Sequence, residues 1–303
     1  AIQSTALKAG KFIIKWINES DYIPGANIII DYYDHGAEIS KAVSAYQIAV
    51  AKKPRPILSN GGMASHTSLA IKPLAKRTRI PNIDGSSARN VMRPQGWAFS
   101  FAGSYEGSIG AAGDWILANW KSDSKYAWIR KNYENRKPRF AIIGWDNAFG
   151  RGFDKKEGRD YLKSRGVDFV GSEYIPVSPS DTTAQVLRLV KEKKADFIYF
   201  GMFPASHAAI LKDAHRLGLR DKFQDIAFSS DSILLVQKYA KELVEGSMQL
   251  THFQSIPSQF KEPLKSMFKK SGLPDEFAGL FMNAVLYYDT YSEVTRSAIK
   301  QVG

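Results

Sequence analysis

Short apolar runs alternate with longer amphipathic stretches along most of this chain. Ile2 to Ile17 carries Ala6, Leu7, Ile13, Ile14 and Ile17 at helical spacing. Asn27 to Tyr32 is a brief apolar run between Pro24-Gly25 and Asp34-His35-Gly36, which predicts a buried strand. Glu38 to Lys52 predicts a helix with Ile39, Val43, Tyr46 and Val50 on one face. Pro56–Leu58 and Pro81–Ile83 predict strands; helices are predicted over Ser65–Lys76 between them and over Tyr105–Lys121 beyond. The second half repeats the style. Arg139–Gly144, Val167–Ile175, Phe197–Gly201 and Asp225–Ser229 predict strands. Helices are predicted over Gly152–Gly166, Asp181–Lys193, Ser206–Leu217 (ended by Gly218) and Ser232–Ala240. After Thr251 the alternation gives way to two consecutive helices, near Gln259–Lys270 and Phe277–Ser297.

Strands of about 5 residues alternating with helices of about 12 predict an α/β protein with doubly wound parallel sheets, each covered on both faces. Two such runs predict two lobes. The seam is expected in the polar, basic stretch Ser122–Pro138, and the chain is expected to return to the first lobe near Thr251. The expected lobes are therefore 1–134 plus 254–303, and 135–253. Open parallel sheets bind ligands at the carboxyl ends of their strands. That rule selects the loops Ser59–Ser65, Asp84–Asn90, Asp146–Gly150, Gly201–Ser206 and Ser229–Ser232.

The 303 residues are 44% hydrophobic and 24% charged, enough apolar content for a sizeable core. A net charge of +12 raises nucleic acid as a partner. The basic residues, however, are scattered along helices and turns, as at Lys8, Lys11 and Lys15 or Lys191, Lys193 and Lys194. No nucleic-acid-binding motif accompanies them, so no nucleic-acid partner is expected. The chain has no cysteine, which excludes disulfides and thiolate metal sites. No apolar run reaches the roughly 18 residues of a membrane span.

Catalytic signatures are missing too. There is no G-x-S-x-G elbow, no Walker lysine and no H-E-x-x-H pair, and Gly150-Arg151-Gly152 is not a dinucleotide fingerprint. His207 and His215 are two turns apart, too far to share a metal. No metal, no cofactor and no catalytic residue is assigned. The strand-end loops instead carry small donors. Gly61, Gly62, Ala64 and Ser65 precede a helix, and Gly85, Ser86, Ser87 and Ala88 form the next turn. Such groups suit an anion at a helix N-terminus, and they equally suit plain capping. The second half supplies Phe149, Phe203 and Asp231 at its own strand ends. These read either as a wall and a charge for a zwitterionic ligand, or as core residues and an N-cap.

The order of motifs resembles the solute-binding proteins of the branched-chain amino acid (Leu/Ile/Val) ABC transporters, with the type I periplasmic binding fold. The segments SLAIKPLAKRTRIPNI, RFAIIGWDNAFGRG, DTTAQVLRLVKEKKADFIYFGMF, AAILKDAHRLGL and KELVEGSM carry the resemblance, together with the Asp84–Asn90 turn. It implies two lobes with a ligand cleft between them, closing by a hinge. It implies that Ser65 and the Ser86–Ser87–Ala88 turn hold a ligand carboxylate. Phe149 and Phe203 would flank the ligand, Asp231 would take its ammonium, and the helix holding Phe281 and Asn283 would lie near the cleft mouth. The implied partners are a small amino acid or related carboxylate and a membrane permease. The implied place is periplasmic or extracytoplasmic, with a lipid anchor left open. Against the family, Ala88 lacks a threonine hydroxyl, and Phe149 and Phe203 lack tyrosine hydroxyls, which implies a more apolar pocket. The family pattern also includes an opening strand before residue 1 and more residues after the last, so the chain reads as truncated at both ends. A ligand-sensing receptor domain of the same fold and an α/β cleft enzyme remain the alternatives.

Overall fold

Residues 2–61, 64–120, 136–228, 233–250 and 258–302 are described by the computed structural model of this chain. They group into two compact units. The first comprises Ala1–Ser86, Asn90–Ala102 and Phe253–Gly303, and the second Ser87–Arg89 and Gly103–His252.

The first unit opens with helices α1 (Ile2–Glu19), α2 (Ile39–Ala51) and α3 (Ser65–Thr78). Its strands β1 (Asn82–Asp84) and β2 (Ala98–Ser100) pair in parallel, with Asp84 opposite Ser100. The one-turn helix α4 (Arg89–Met92) lies between them in sequence. Ser59 adds a single parallel bridge to Asn82. The predicted strand at Pro56–Leu58 is reduced to this neighbouring bridge, and the one predicted at Asn27–Tyr32 does not form. Strands need a ladder partner, and none lies beside Asn27–Tyr32 among the described residues. The Asn18 side chain stands in for one. Its amide donates to the Ile28 carbonyl at 3.0 Å, and its oxygen accepts the Ile28 N–H at 2.8 Å. Ile29 is consequently left 89% exposed.

The second unit contains α5 (Tyr105–Trp120), β3 (Arg139–Trp145), α6 (Lys156–Arg165), β4 (Asp168–Ile175), α7 (Thr183–Val186) and β5 (Phe197–Gly201). It continues with α8 (Pro204–Arg216), β6 (Gln224–Ala227), α9 (Ile233–Ala240) and β7 (Met248–Gln249). The strands form one parallel sheet in the order β4-β3-β5-β6-β7. Alternation along each strand sorts side chains to two faces. Ala141, Ile143, Ile198 and Phe200 enter one core with Leu189, Leu211 and Val236. Phe140, Ile142, Phe197 and Tyr199 enter the other with Ile109, Ile116 and Leu162.

Helix α5 covers the second of these faces with Tyr105, Ile109, Ala112, Ile116 and Trp120, a stripe at helical spacing. The sequence reading placed this helix in the first lobe, with the seam at 134. Packing places it in the second unit, and the chain crosses at Ala102/Gly103. Gly113 allows α6 to come close: a Cβ there would stand 2.5 Å from Leu162 Cδ2. Back in the first unit, the two final helices are α10 (Ser258–Ser271) and α11 (Ala278–Val302). Helix α11 packs on α1, where Phe281 and Ala284 meet Ala9, Ile13 and Ile17.

The second unit holds a buried charge cluster. The Asp225 carboxylate is fully buried, accepts Arg220 Nη2 at 2.9 Å and lies 2.8 Å from His207 Nε2. Burial alone would raise its pKa. The His207 hydrogen bond and the Arg220 charge, with the Ser247 hydroxyl, outweigh burial and hold it below the ordinary value. Its stabilising contribution is therefore present above about pH 4 and is lost as pH falls through the lower native pKa. Arg220→Met should cost about 3 kcal/mol at pH 7, because it strips the cation from a buried carboxylate. Urea unfolding followed by tryptophan fluorescence will measure this. A loss below about 0.5 kcal/mol, the size of an ordinary surface change, would show that the pair is dispensable.

Candidate functional site

In the first unit, the site is built at the carboxyl end of β1. Asn82, Ile83 and Asp84 are all buried, and the chain then turns through Gly85, Ser86 and Ser87. Ser65 is the first residue of α3 and is 2% exposed, as is Ser87; Ser86 is completely buried. Ser86 Oγ donates to Ser65 Oγ at 3.0 Å, so the turn is tied to the helix start. Thr67 braces that start by donating to the Ala64 carbonyl at 2.8 Å. Ser65 and Ser86 therefore come together at the start of α3, a setting that favours an anion, while Ser87 belongs to the second unit.

One group here was not singled out by sequence reasoning. Asp84 is wholly buried at the end of β1. It accepts the Ser86 N–H at 2.8 Å on Oδ1 and the Asn82 amide at 3.0 Å on Oδ2. Burial pushes its pKa from 3.8 up to about 6, against the lowering pull of its bonds from Ser86, Ser68 and Asn82. The available signal was a carboxylate closing an apolar strand, although sequence alone does not reveal its burial. Tyr291 Oη donates to the Ile83 carbonyl at 2.7 Å. The phenols of Tyr287 and Tyr291 are raised first by burial and also by the charge of Asp84.

In the second unit, the loops after β3 and β5 carry an aromatic group. These strands are neighbours, and the connections leave them in opposite directions across the sheet, so the topological switch point lies between them. Phe149 follows β3 and Phe203 follows β5. Their ring centroids are 5.6 Å apart, and Trp145 lies 5.9 and 5.0 Å from them. Phe149 also meets Tyr105, Phe153 and Phe228 within 6 Å. Phe203 is 37% exposed, while Phe149 and Trp145 are partly buried. The Trp145 indole N–H donates to Ser206 Oγ at 2.9 Å, which leaves the wall chemically apolar. Asn147 Oδ1 fixes the loop by accepting the N–H groups of Phe149 and Gly150 at 3.1 and 3.0 Å. Trp145, like Asp84, was missed, although it stands in the same WDNAFG motif as Phe149.

The remaining predicted residues divide. Ala88 packs against the Tyr105 cluster, and the Ser87 carbonyl accepts the Tyr105 N–H at 3.1 Å. Asp231 lies outside the described residues. Phe281 is corrected: it is 0% exposed, with ring centroids 6.1 Å from Phe12 and 5.4 Å from Phe268. It is a core residue of the α1–α11 packing. Among the described residues, no group of three His, Asp or Glu side chains could hold a metal. No helix of the described residues is long and apolar enough to cross a membrane.

This chain belongs to the periplasmic binding protein family, whose model matches residues 1–291. Its fold is that of solved ABC-transporter binding proteins. A branched-chain amino acid ABC transporter protein from Thermus thermophilus, solved with bound valine, is similar at a TM-score of 0.78 with 20% identity. That match covers 99% of this chain and 76% of the other. A leucine-binding protein from Thermotoga maritima matches at 0.73 with 18% identity, covering 99% and 79%. A solute-binding protein from R. palustris, solved with 4-hydroxybenzoate, matches at 0.74 with 14% identity, covering 98% and 77%. No curated protein matches the chain.

Two outcomes follow from the local geometry. Any Cβ at Gly150 would collide with the backbone nitrogen and oxygen of Trp145. Gly150→Ala should therefore destabilise by about 3 kcal/mol, as overpacking against a backbone does; an unchanged urea midpoint would contradict the close approach. Asp84 gives a pH signature. Its native pKa lies above its unfolded one, so its ionisation opposes folding, and stability is lost as pH rises through about 6. The stability gain of Asp84→Asn over wild type should shrink by about 1 kcal/mol between pH 8 and pH 5. Paired urea titrations will read it, and a pH-independent difference would refute the raised pKa.

Proposed function

We propose that this chain is the extracytoplasmic solute-binding component of an ABC importer, and that it captures a small amino acid or related carboxylate without transforming it. The supporting observation is the serine turn at the carboxyl end of β1, where Ser65 and Ser86 are buried and joined at 3.0 Å beside the α3 N-terminus. In this reading, Ser65, Ser86, Ser87 and the Ala88 backbone receive the ligand carboxylate. Phe149 and Phe203 lie against its apolar body, with Trp145 added to them, and Asp231 receives an ammonium where the ligand has one. The valine and 4-hydroxybenzoate held by the structural neighbours are both small carboxylates with an apolar portion. The loaded protein would deliver its ligand to a membrane permease. Small-molecule sites of this kind rely on a few placed polar groups and apolar walls.

A thermal-shift series with valine, leucine, phenylalanine, benzoate and 4-hydroxybenzoate tests the reading. A ligand at 100 times its Kd adds about 2.7 kcal/mol of stability. At least one of these carboxylates should raise the melting temperature. Ser86→Ala should then weaken that ligand about ten-fold, the equivalent of one hydrogen bond to a charged group. A cooperative melt that none of the five moves would refute carboxylate capture and return the receptor and enzyme alternatives to consideration.

A further inference from the structure

Asp84 occupies an unusual position for a buried carboxylate. It is 0% exposed and, among the described residues, has no ion-pair partner. The other two fully buried aspartates of the described residues both have arginine partners. Asp196 takes Arg136 in a two-pronged pair at 2.7 and 2.8 Å, and Asp225 takes Arg220 at 2.9 Å. Among the described residues, Asp84 is held by neutral donors only. The Ser86 N–H, the Asn82 amide and the Ser68 hydroxyl are those donors.

Among the described residues, the elements around Asp84 supply no cation. The partner strand β2 presents Ala98, Phe99 and Ser100. The charged residues of α3 are engaged elsewhere or exposed: His66 Nε2 meets the Ala37 carbonyl, and Lys72 donates to the Asn90 and Arg93 carbonyls. Lys76 and Arg77 are exposed in the last turn of α3. Helix α11 brings Tyr287 and Tyr291, both neutral and both raised by burial and by the Asp84 charge.

The donors of the proposed carboxylate turn are the immediate neighbours of this group. Asp84 Oδ1 already accepts the N–H of Ser86, whose hydroxyl is joined to Ser65. A second carboxylate arriving at this turn brings like charge to a buried site without a cation. Two carboxylates in one low-dielectric site do not both stay ionised; one of them takes a proton.

We infer that solute capture by this chain is proton-linked: a carboxylate ligand held at the Ser65–Ser86 turn binds together with one proton from solvent, which forms an O–H bond on Asp84. The inference rests on the proposed function and adds the condition under which the site fills. The raised native pKa of about 6 fits it, because the free protein is then mostly ionised at neutral pH and has a proton to gain. The coupling makes affinity fall as pH rises, roughly ten-fold per pH unit above pH 6 until the pKa of the bound state is reached. Below pH 6 the affinity levels off.

Titration calorimetry of the whole chain with valine and with 4-hydroxybenzoate, in phosphate and in Tris at pH 7, tests it. The two buffers differ in ionisation enthalpy, so the difference in heat counts protons. The expected result is an uptake close to one proton per ligand in wild type, and none in Asp84→Asn. Binding with no proton uptake in wild type overturns the inference and leaves the solute-binding reading intact. Uptake that persists in Asp84→Asn also overturns it, because another group then takes the proton. Absence of binding by either probe, in a protein that also shows no melting shift with them, removes both the reading and the inference. The wild-type buffer comparison stands alone if the variant fails to fold.

Discussion

The two-sided burial of a parallel sheet is the constraint that organises the second unit. A parallel ladder has no solvent face, so every strand must offer apolar groups in both directions. Arg139–Trp145 and Phe197–Gly201 do this residue by residue, Phe140 and Ile142 to one side and Ala141 and Ile143 to the other. The demand for a second cover accounts for α5. Its Tyr105–Ile109–Ile116 stripe fits the face that Phe140, Ile142 and Tyr199 leave open, so the chain enters this unit well before β3. With both faces covered, the loops at the carboxyl strand ends remain as the places where chemistry can differ.

The loop after β3 is tightly held. Asn147 Oδ1 receives two backbone N–H groups, and Gly150 returns so close to Trp145 that only a hydrogen fits between them. Phe149 is thereby set among Tyr105, Trp145, Phe153, Phe203 and Phe228 without needing a hydrogen bond of its own. A tyrosine at either position would bring a hydroxyl in need of a partner. Phenylalanine removes that requirement and makes the wall indifferent to the polarity pattern of what lies against it. Shape and apolar area remain as its means of discrimination, and these separate ligands weakly compared with hydrogen bonds. On this reading, the serine turn of the first unit holds most of the polar recognition.

The sequence was most legible where local pattern and tertiary demand agree. RFAIIG and FIYFG are strands because no other element buries an unbroken apolar run of that length between turns. Gly166 and Gly218 end their helices with φ of +92° and +67°, as glycines after a helical pattern should. Asn27–Tyr32 misled because apolar content marks a potential strand, whereas a ladder is a property of two segments; the Asn18 amide satisfies the same backbone groups more locally. The seam at 134 misled because a helix stripe states that it must be covered without stating by which sheet. Phe281 misled for a related reason. An aromatic on an amphipathic helix suits a core and a ligand wall equally, and the neighbours Phe12 and Phe268 decide for the core. The helix start at Ser65 and the turn at Ser86–Ser87 were legible as local structure, since both declare themselves by composition. The carboxylate beneath them was not, because burial of a single polar residue is set by contacts distant in sequence.

That carboxylate differs from the other buried aspartates of the described residues in how its charge is met. Asp196, Asp225 and Asp84 are equally buried. For the first two, an arginine restores in the fold what solvent gave in the unfolded chain, and Asp225 is held below its ordinary pKa as a result. Such pairs fix one packing. Among the described residues Asp84 meets only neutral dipoles, which orient it without cancelling its charge. An aspartate with no other role here would carry a needless cost, since asparagine has nearly the same shape and no charge to desolvate. Its neighbours argue the same way. The Ser86 amide that it holds belongs to the residue whose hydroxyl is joined to Ser65 at the start of α3, so the uncompensated charge lies where, on the proposed reading, an anion would be received. Proteins tolerate such a charge mainly where it performs a task. Here the task consistent with the geometry is to make the turn's preference for an anion depend on the proton that Asp84 holds.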